Sequence, residues 1–175
     1  MKIIALSGKR ESGKTTVADY LAANHGAVKL SFAKTLREEV VSFGYKHELI
    51  FGKPTHPDVR NLLIAHGSLR RMQDQDYWID RMFKTMTDLP HDALVVVDDV
   101  RYWNEAERLG RAAATLVRVV MADPLYRMDF IRGVDDHVSE TDLDQWSEWD
   151  DMIIAKHGDI DWLCRQASEI VEGQS

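Results

Sequence analysis

The sequence predicts a three-layer α/β fold, in which a parallel sheet of about five strands is covered by helices on both faces. Three observations predict it. Short apolar runs alternate with segments of helical spacing, the runs are apolar almost without interruption, as strands buried on both faces are, and the first run passes through a Gly-rich turn directly into a helix. The first strand is read at 3–6 (IIAL), ended by Ser7-Gly8, and the helix from residue 14 places Val17, Leu21 and Ala22 on one side. A second strand is expected at 27–32 and a helix at about 33–41. Residues 94–97 (LVVV) form the least ambiguous buried strand and end in Asp98-Asp99, with a helix beginning near Tyr102. The β-branched run 115–121 supplies a fourth strand, 152–154 a short last one, and 159–171 a closing amphipathic helix.

Two stretches interrupt the alternation. Residues 42–90 carry Gly52, Pro54 and Pro57 and then a helical segment with Arg70, Arg71, Trp78 and Arg81, which predicts a helical insertion over one sheet edge. Residues 123–137 hold Pro124, Arg127, Arg132 and Gly133 between a strand and a helix start, the make-up of a flap.

A chain of 175 residues, 45% hydrophobic, buries one sizeable core and is expected to form a single domain over 1–175, with the insertion at about 33–90 and the lid at about 123–137. A formal net charge of −7 gives no basic footprint, so a nucleic acid polymer is not expected as a partner. The one cysteine, Cys164, has no second cysteine to pair with, and no Cys/His zinc framework is present, which points to a reducing, cytoplasmic setting. The apolar run near residue 3 is too short for a signal-peptide core, and no later stretch approaches the roughly 18 apolar residues of a membrane span, so no membrane is expected either.

Residues 8–15, GKRESGKT, match G-x-x-x-x-G-K-[ST] in the context that pattern requires, after a strand and before a helix. The glycines let backbone N–H groups converge on phosphate oxygens, the helix N-terminus adds positive potential, Lys14 reaches the β- and γ-phosphates, and the Thr15 hydroxyl can ligate Mg²⁺. Gly8, Arg10, Ser12, Gly13, Lys14, Thr15 and Thr16 are thus expected to hold ATP, with Lys14 also catalytic. Asp98, the first residue past the 94–97 run, is the second expected Mg²⁺ group; Asp98 or Asp99 would otherwise cap the helix near Tyr102. No N-K-x-D follows a later strand, which argues against guanine-selective switching.

Outside the loop, arginines recur at 37, 70, 71, 101, 127 and 132, and guanidinium groups suit a second, phosphorylated substrate. Each alone would read as a surface charge. Trp78 can stack on a base, although a tryptophan opening a helix more often belongs to the core. Ser139-x-x-Asp142 approximates a capping box, and His137 is disfavoured as a general base because a phosphate nucleophile is already ionised.

With these segments in view, GKRESGKT at 8–15, SFAKTLRE at 31–38, HGSLRR with DYWID at 66–80, VVVDDVRYWNEAE at 95–107 and HVSETDLD at 137–144, most of the chain resembles the P-loop nucleoside monophosphate kinases, and among them the phage-type deoxynucleoside monophosphate kinases. The resemblance implies transfer of the ATP γ-phosphate to a deoxynucleoside 5′-monophosphate, in host cytoplasm if the source is a phage. It implies that Gly13, Lys14 and Thr15 hold ATP and Mg²⁺, that Arg37, Arg70 (or Arg71) and Arg101 surround the acceptor phosphate, and that Arg127 and Arg132 act from the lid. A homodimer is left open. Lys156 stands where the family often has an Asn near adenine, so phosphate binding is better supported than adenine selection. Competing readings are another small-molecule P-loop kinase, similar to dephospho-coenzyme A or phosphomevalonate kinases, and an ATP-binding module without transfer; the extra arginines count against the last.

Overall fold

The computed structural model describes residues 1–122 and 138–173. The chain packs as two compact units, one from Met1–Leu30 with Pro90–Ser175 and one from Ser31–Leu89.

The first unit contains five parallel strands, β1 (Lys2–Ser7), β2 (Val28–Leu30), β3 (Leu94–Val100), β4 (Thr115–Met121) and β5 (Asp151–Ala155), in the order β2-β3-β1-β4-β5. Ile4 lies opposite Val96 on one side and Thr115 on the other, so β1 is central and its C-terminal end opens among neighbours running the same way. Helices α1 (Lys14–His25) and α8 (Ile160–Glu172) cover one face, where Val17, Ala18, Leu21, Leu163, Ala167 and Ile170 close over Ile4, Leu6, Val96, Val117 and Val119. On the other face α6 (Trp103–Arg111) buries Ala106 and Leu109, and Gly110 lies against Leu116, the β4 residue that points away from the first core. This is the expected three-layer α/β arrangement.

Two boundaries differ from expectation. Strand β2 stops at Leu30, before the expected Phe32, because Ser31 caps the next helix by accepting a hydrogen bond from Lys34 N at 3.3 Å. Strand β3 continues through Asp98 and Asp99 to Val100, because its pairing with β1 resumes at Ser7↔Val100 after a register shift. Asp98 is therefore a strand residue and not the first residue of a loop.

The second unit is helical: α2 (Phe32–Ser42), α3 (His47–Phe51), α4 (Pro57–Gln73) and α5 (Tyr77–Thr87). Val40, Ile50, Val59 and Leu63 form its core with Leu36, Val41, Phe51 and Leu62 at the margin. The remaining described element is the short α7 (Val138–Thr141) of the first unit. The expected lid at 123–137, with Arg127, Arg132 and His137, lies outside the described residues.

Candidate active site

Strand β1 delivers the chain into the Gly8-to-Gly13 turn and α1 takes it out, as the motif demands. Gly8 sits at φ +149°, where a Cβ would lie 2.3 Å from the Val119 carbonyl oxygen, so no other residue fits between loop and sheet. Gly13 is left-handed at φ +100° and offers no side chain to cap α1, and Glu11 between them is left-handed at φ 62°. A helix N-terminus with no capping side chain, preceded by a tight loop, is a site for an anion. Lys14 is 7% exposed and its ammonium donates to the carbonyls of Gly8 (2.8 Å) and Lys9 (2.6 Å), with Ser12 Oγ at 3.4 Å. Those carbonyls hold the lysine across the loop, where a phosphate oxygen can accept from it as a charged partner. Ser12 is buried, Thr15 is exposed at the helix start, Thr16 is half-buried, and Arg10 lies outside, 3.6 Å from Glu11.

Asp98 is buried on the face of the sheet that α1 covers, since Lys29 Nζ reaches Asp98 Oδ2 at 3.0 Å and Asp19 of α1 at 2.8 Å. Burial pushes the Lys29 pKa down, but its hydrogen bonds to the Asp19 and Asp98 carboxylates and their charges outweigh burial and the pKa is raised. Asp98 thus shares a sheet face with the helix that carries Thr15, whereas Asp99 is half-buried. No group of three or more His, Cys, Asp or Glu among the described residues could hold a metal alone. One carboxylate and one hydroxyl, completed by phosphate oxygens and water, is a donor set that fits Mg²⁺.

A further set of contacts steadies the loop. Asp144 pairs with Lys9 of the loop and with Arg118 of β4 at 3.4 Å, and Arg118 donates to Ser7 Oγ at 3.1 Å and lies 5.2 Å above the Trp149 ring. Asp142, expected to complete a capping box in its own helix, instead accepts from Trp103 N at 2.6 Å and so caps α6. Glu105 accepts from Arg101 N and Tyr102 N at 2.9 and 3.2 Å and closes the same helix end, which places Arg101 directly after β3. Lys156 stacks over the Trp162 ring at 4.5 Å.

In the helical unit the expected acceptor residues divide. Arg37 donates to the Ile50 carbonyl and to Thr55 Oγ1 (3.2 Å), and burial lowers its pKa. Arg70 donates through Nε to Glu39 at 2.8 Å, which holds the arginine in its charged form. Arg71 is half-buried with a guanidinium nitrogen 3.5 Å from where a Gly67 Cβ would stand. Trp78 corrects the stacking expectation: it is 2% exposed and its indole N–H donates to the Gly67 carbonyl at 3.2 Å, so it is core and presents no ring face. The residues missed from sequence are Glu39, His66, Tyr77 and Arg81, together with Lys29, Arg118 and Asp144. His66 with Arg70, and Tyr77 with Arg81, stand four apart on their helices, the spacing that marks a shared face.

No family model matches the chain. Solved structures share its fold over nearly the whole length. Dephospho-CoA kinase from Campylobacter jejuni is 12% identical, with 99% of this chain and 97% of that chain covered at a TM-score of 0.58. Shikimate kinase from Aquifex aeolicus is 16% identical, covering 99% and 98% at 0.53, and shikimate kinase from Acinetobacter baumannii, solved with shikimate, is 15% identical, covering 100% and 95% at 0.53. At these identities the likeness shows the fold alone.

Proposed function

We propose that this protein is an ATP-dependent kinase that transfers the γ-phosphate to a deoxynucleoside 5′-monophosphate, giving a diphosphate and ADP by in-line displacement without a covalent enzyme intermediate. The observation that carries the transferase part is the loop: an uncapped helix N-terminus, two glycines at positive φ and a buried lysine held across the loop by the Gly8 and Lys9 carbonyls. The choice of acceptor is supported by the 31–38, 66–80, 95–107 and 137–144 segments and by the arginines within them.

In this reading the loop N–H groups and Lys14 orient the β- and γ-phosphates and stabilise charge on the transferring group. Thr15 and Asp98 would hold Mg²⁺, which when bound neutralises charge on the β- and γ-oxygens. Arg70 and Arg101 would take the acceptor phosphate, with Arg37 and Arg71 supporting them, and Arg127 and Arg132 would act from the lid. The acceptor phosphate is already ionised, so positioning and exclusion of water dominate over proton removal.

A second reading, a small-molecule kinase acting on another acceptor, is favoured by the fold shared with a dephospho-CoA kinase. An ADP-release assay with ATP and Mg²⁺ against ribo- and deoxyribonucleoside monophosphates, dephospho-coenzyme A, phosphomevalonate and shikimate separates the two. Turnover confined to deoxynucleoside monophosphates is expected; turnover only with one of the other acceptors, or with none, overturns the proposal.

A further inference from the structure

Glu39 lies in the middle of α2 with only 4% of its side chain exposed, and it gathers four partners. Oε1 accepts from His66 Nε2 and Arg70 Nε, both at 2.8 Å, and Oε2 accepts from the Tyr77 hydroxyl at 2.5 Å and pairs with the Arg81 guanidinium, whose Nη1 lies 3.2 Å away. A carboxylate has about four acceptor directions, so this one is saturated. Its charge is not sufficient, because one carboxylate faces two guanidinium groups and the cluster keeps at least one positive charge.

The guanidinium groups are also held in place. Both lie over the Tyr77 ring, with Cζ 4.9 Å from its centroid for Arg70 and 5.6 Å for Arg81, and the Tyr77 hydroxyl is fixed on Glu39. Arg81 reaches Glu39, and the Tyr77 hydroxyl at 3.3 Å, through Nη1 alone, and its side chain is 46% exposed. Its Nε and Nη2 have no partner among the described residues. Arg70 has its Nη1 at 3.5 Å from Gln73 and no partner on Nη2. A structural tie between α2, α4 and α5 would need one arginine on the carboxylate. A second, half-exposed one with unused donors, stacked on the same ring, is the arrangement a dianion with three oxygens requires.

We propose that Arg81 joins Arg70 as a second contact for a phosphomonoester dianion, and that Glu39 is the positioning residue that sets the two guanidinium groups as one fork. The inference rests on the kinase reading above only in taking that dianion to be the acceptor's phosphate.

Arg81→Ala is the primary test, since a half-exposed side chain can be removed without unfolding the unit. It should raise the KM for the monophosphate by about tenfold or more with the KM for ATP and the melting temperature unchanged, and Arg81→Lys should recover part of the loss. Glu39→Gln should raise the same KM; should it fail to fold, the Arg81 pair still decides. Variants that lower the melting temperature but leave the monophosphate KM within about twofold would make the cluster an ordinary ion-pair tie and overturn the inference. If no monophosphate is a substrate, the functional reading fails separately, and calorimetric titration with inorganic phosphate decides this inference alone. With the loop site weakened by Lys14→Ala in both proteins, phosphate binding that is lost when Arg81→Ala is added supports it, and equal binding with and without Arg81→Ala, or none to Lys14→Ala, overturns it.

Discussion

Lys14 holds its ammonium on the carbonyls of Gly8 and Lys9, partners that a phosphate oxygen can replace with a charged one. A charge placed on a transferring phosphoryl group contributes on the order of 3 to 5 kcal/mol to the transition state, so Lys14→Ala should fold normally and lose several orders of magnitude in turnover. Single-turnover kinetics on the folded variant check this, and near-normal rates would remove the kinase proposal. The two adjacent aspartates make a paired comparison. Asp98 is buried on the α1 face with Lys29, and Asp99 is not fully buried, so Asp98→Asn should depress turnover and shift its dependence on Mg²⁺ concentration while Asp99→Asn shifts that dependence less. A direct metal titration of the ATP-bound variants gives a second readout, and the reverse order of effects would reassign the metal carboxylate. Arg37 carries a different expectation, because its hydrogen bonds run to Ile50 and Thr55 within its own unit. Arg37→Ala should lower the melting temperature, through loss of charged-donor hydrogen bonds of about 1.5 to 3 kcal/mol each, before it alters any KM.

At the level of elements, periodicity made the strands and helices legible, and pairing decided their ends. Residues 115–121 were readable because β-branched apolar residues leave no other assignment. The extra length of β3 was not, because Asp98 and Asp99 look like loop residues until the β1 register carries the sheet past them. The loop at 8–13 was legible since Gly8 stands where a Cβ would meet the Val119 carbonyl and Gly8 and Gly13 both take positive φ, requirements written into the residue type itself. The Glu39 cluster was not, because it joins three helices whose mutual placement no local pattern encodes. Asp142 shows the same limit: its spacing suggested a local cap, and it caps α6 from another part of the chain. Asp142→Ala should cost about 1 kcal/mol, a fall of roughly 2 to 4 °C in melting temperature for a chain of this size. The Glu39 cluster predicts a pH effect of fixed sign. Burial works to raise the Glu39 pKa, but the hydrogen bonds from Tyr77, His66 and Arg70 and the Arg70 charge prevail and lower it. A carboxylate depressed in the folded state contributes stability that is present above its unfolded value and is lost as pH falls through the folded one. Acid melting of the wild type should therefore fall more steeply below about pH 4 than that of Glu39→Gln, and parallel curves would deny the cluster that role.

For the molecule as a whole, the two units carry different parts of the proposed chemistry, the phosphate loop in Met1–Leu30 with Pro90–Ser175 and the Arg70 and Arg81 fork in Ser31–Leu89. A ligand that binds only the native state stabilises it by mass action, about 2.7 kcal/mol at a hundred times its dissociation constant, and the protection is strongest where the ligand makes its contacts. ATP added alone should raise the melting temperature of the wild type and not that of Lys14→Ala. Hydrogen exchange then resolves the units. ATP should slow exchange at the end of β1 and the first turn of α1, and a deoxynucleoside monophosphate added alone should slow it in α2, α4 and α5. The two patterns need not be exclusive, because phosphates compete for any positive site, so the comparison is made with Arg81→Ala beside the wild type. In that variant the monophosphate should lose its protection of α4 and α5 while ATP keeps its own on α1. Protection by both ligands at the loop alone, unchanged by Arg81→Ala, would mean that the helical unit takes no part in acceptor binding and that the acceptor must be sought within the first unit.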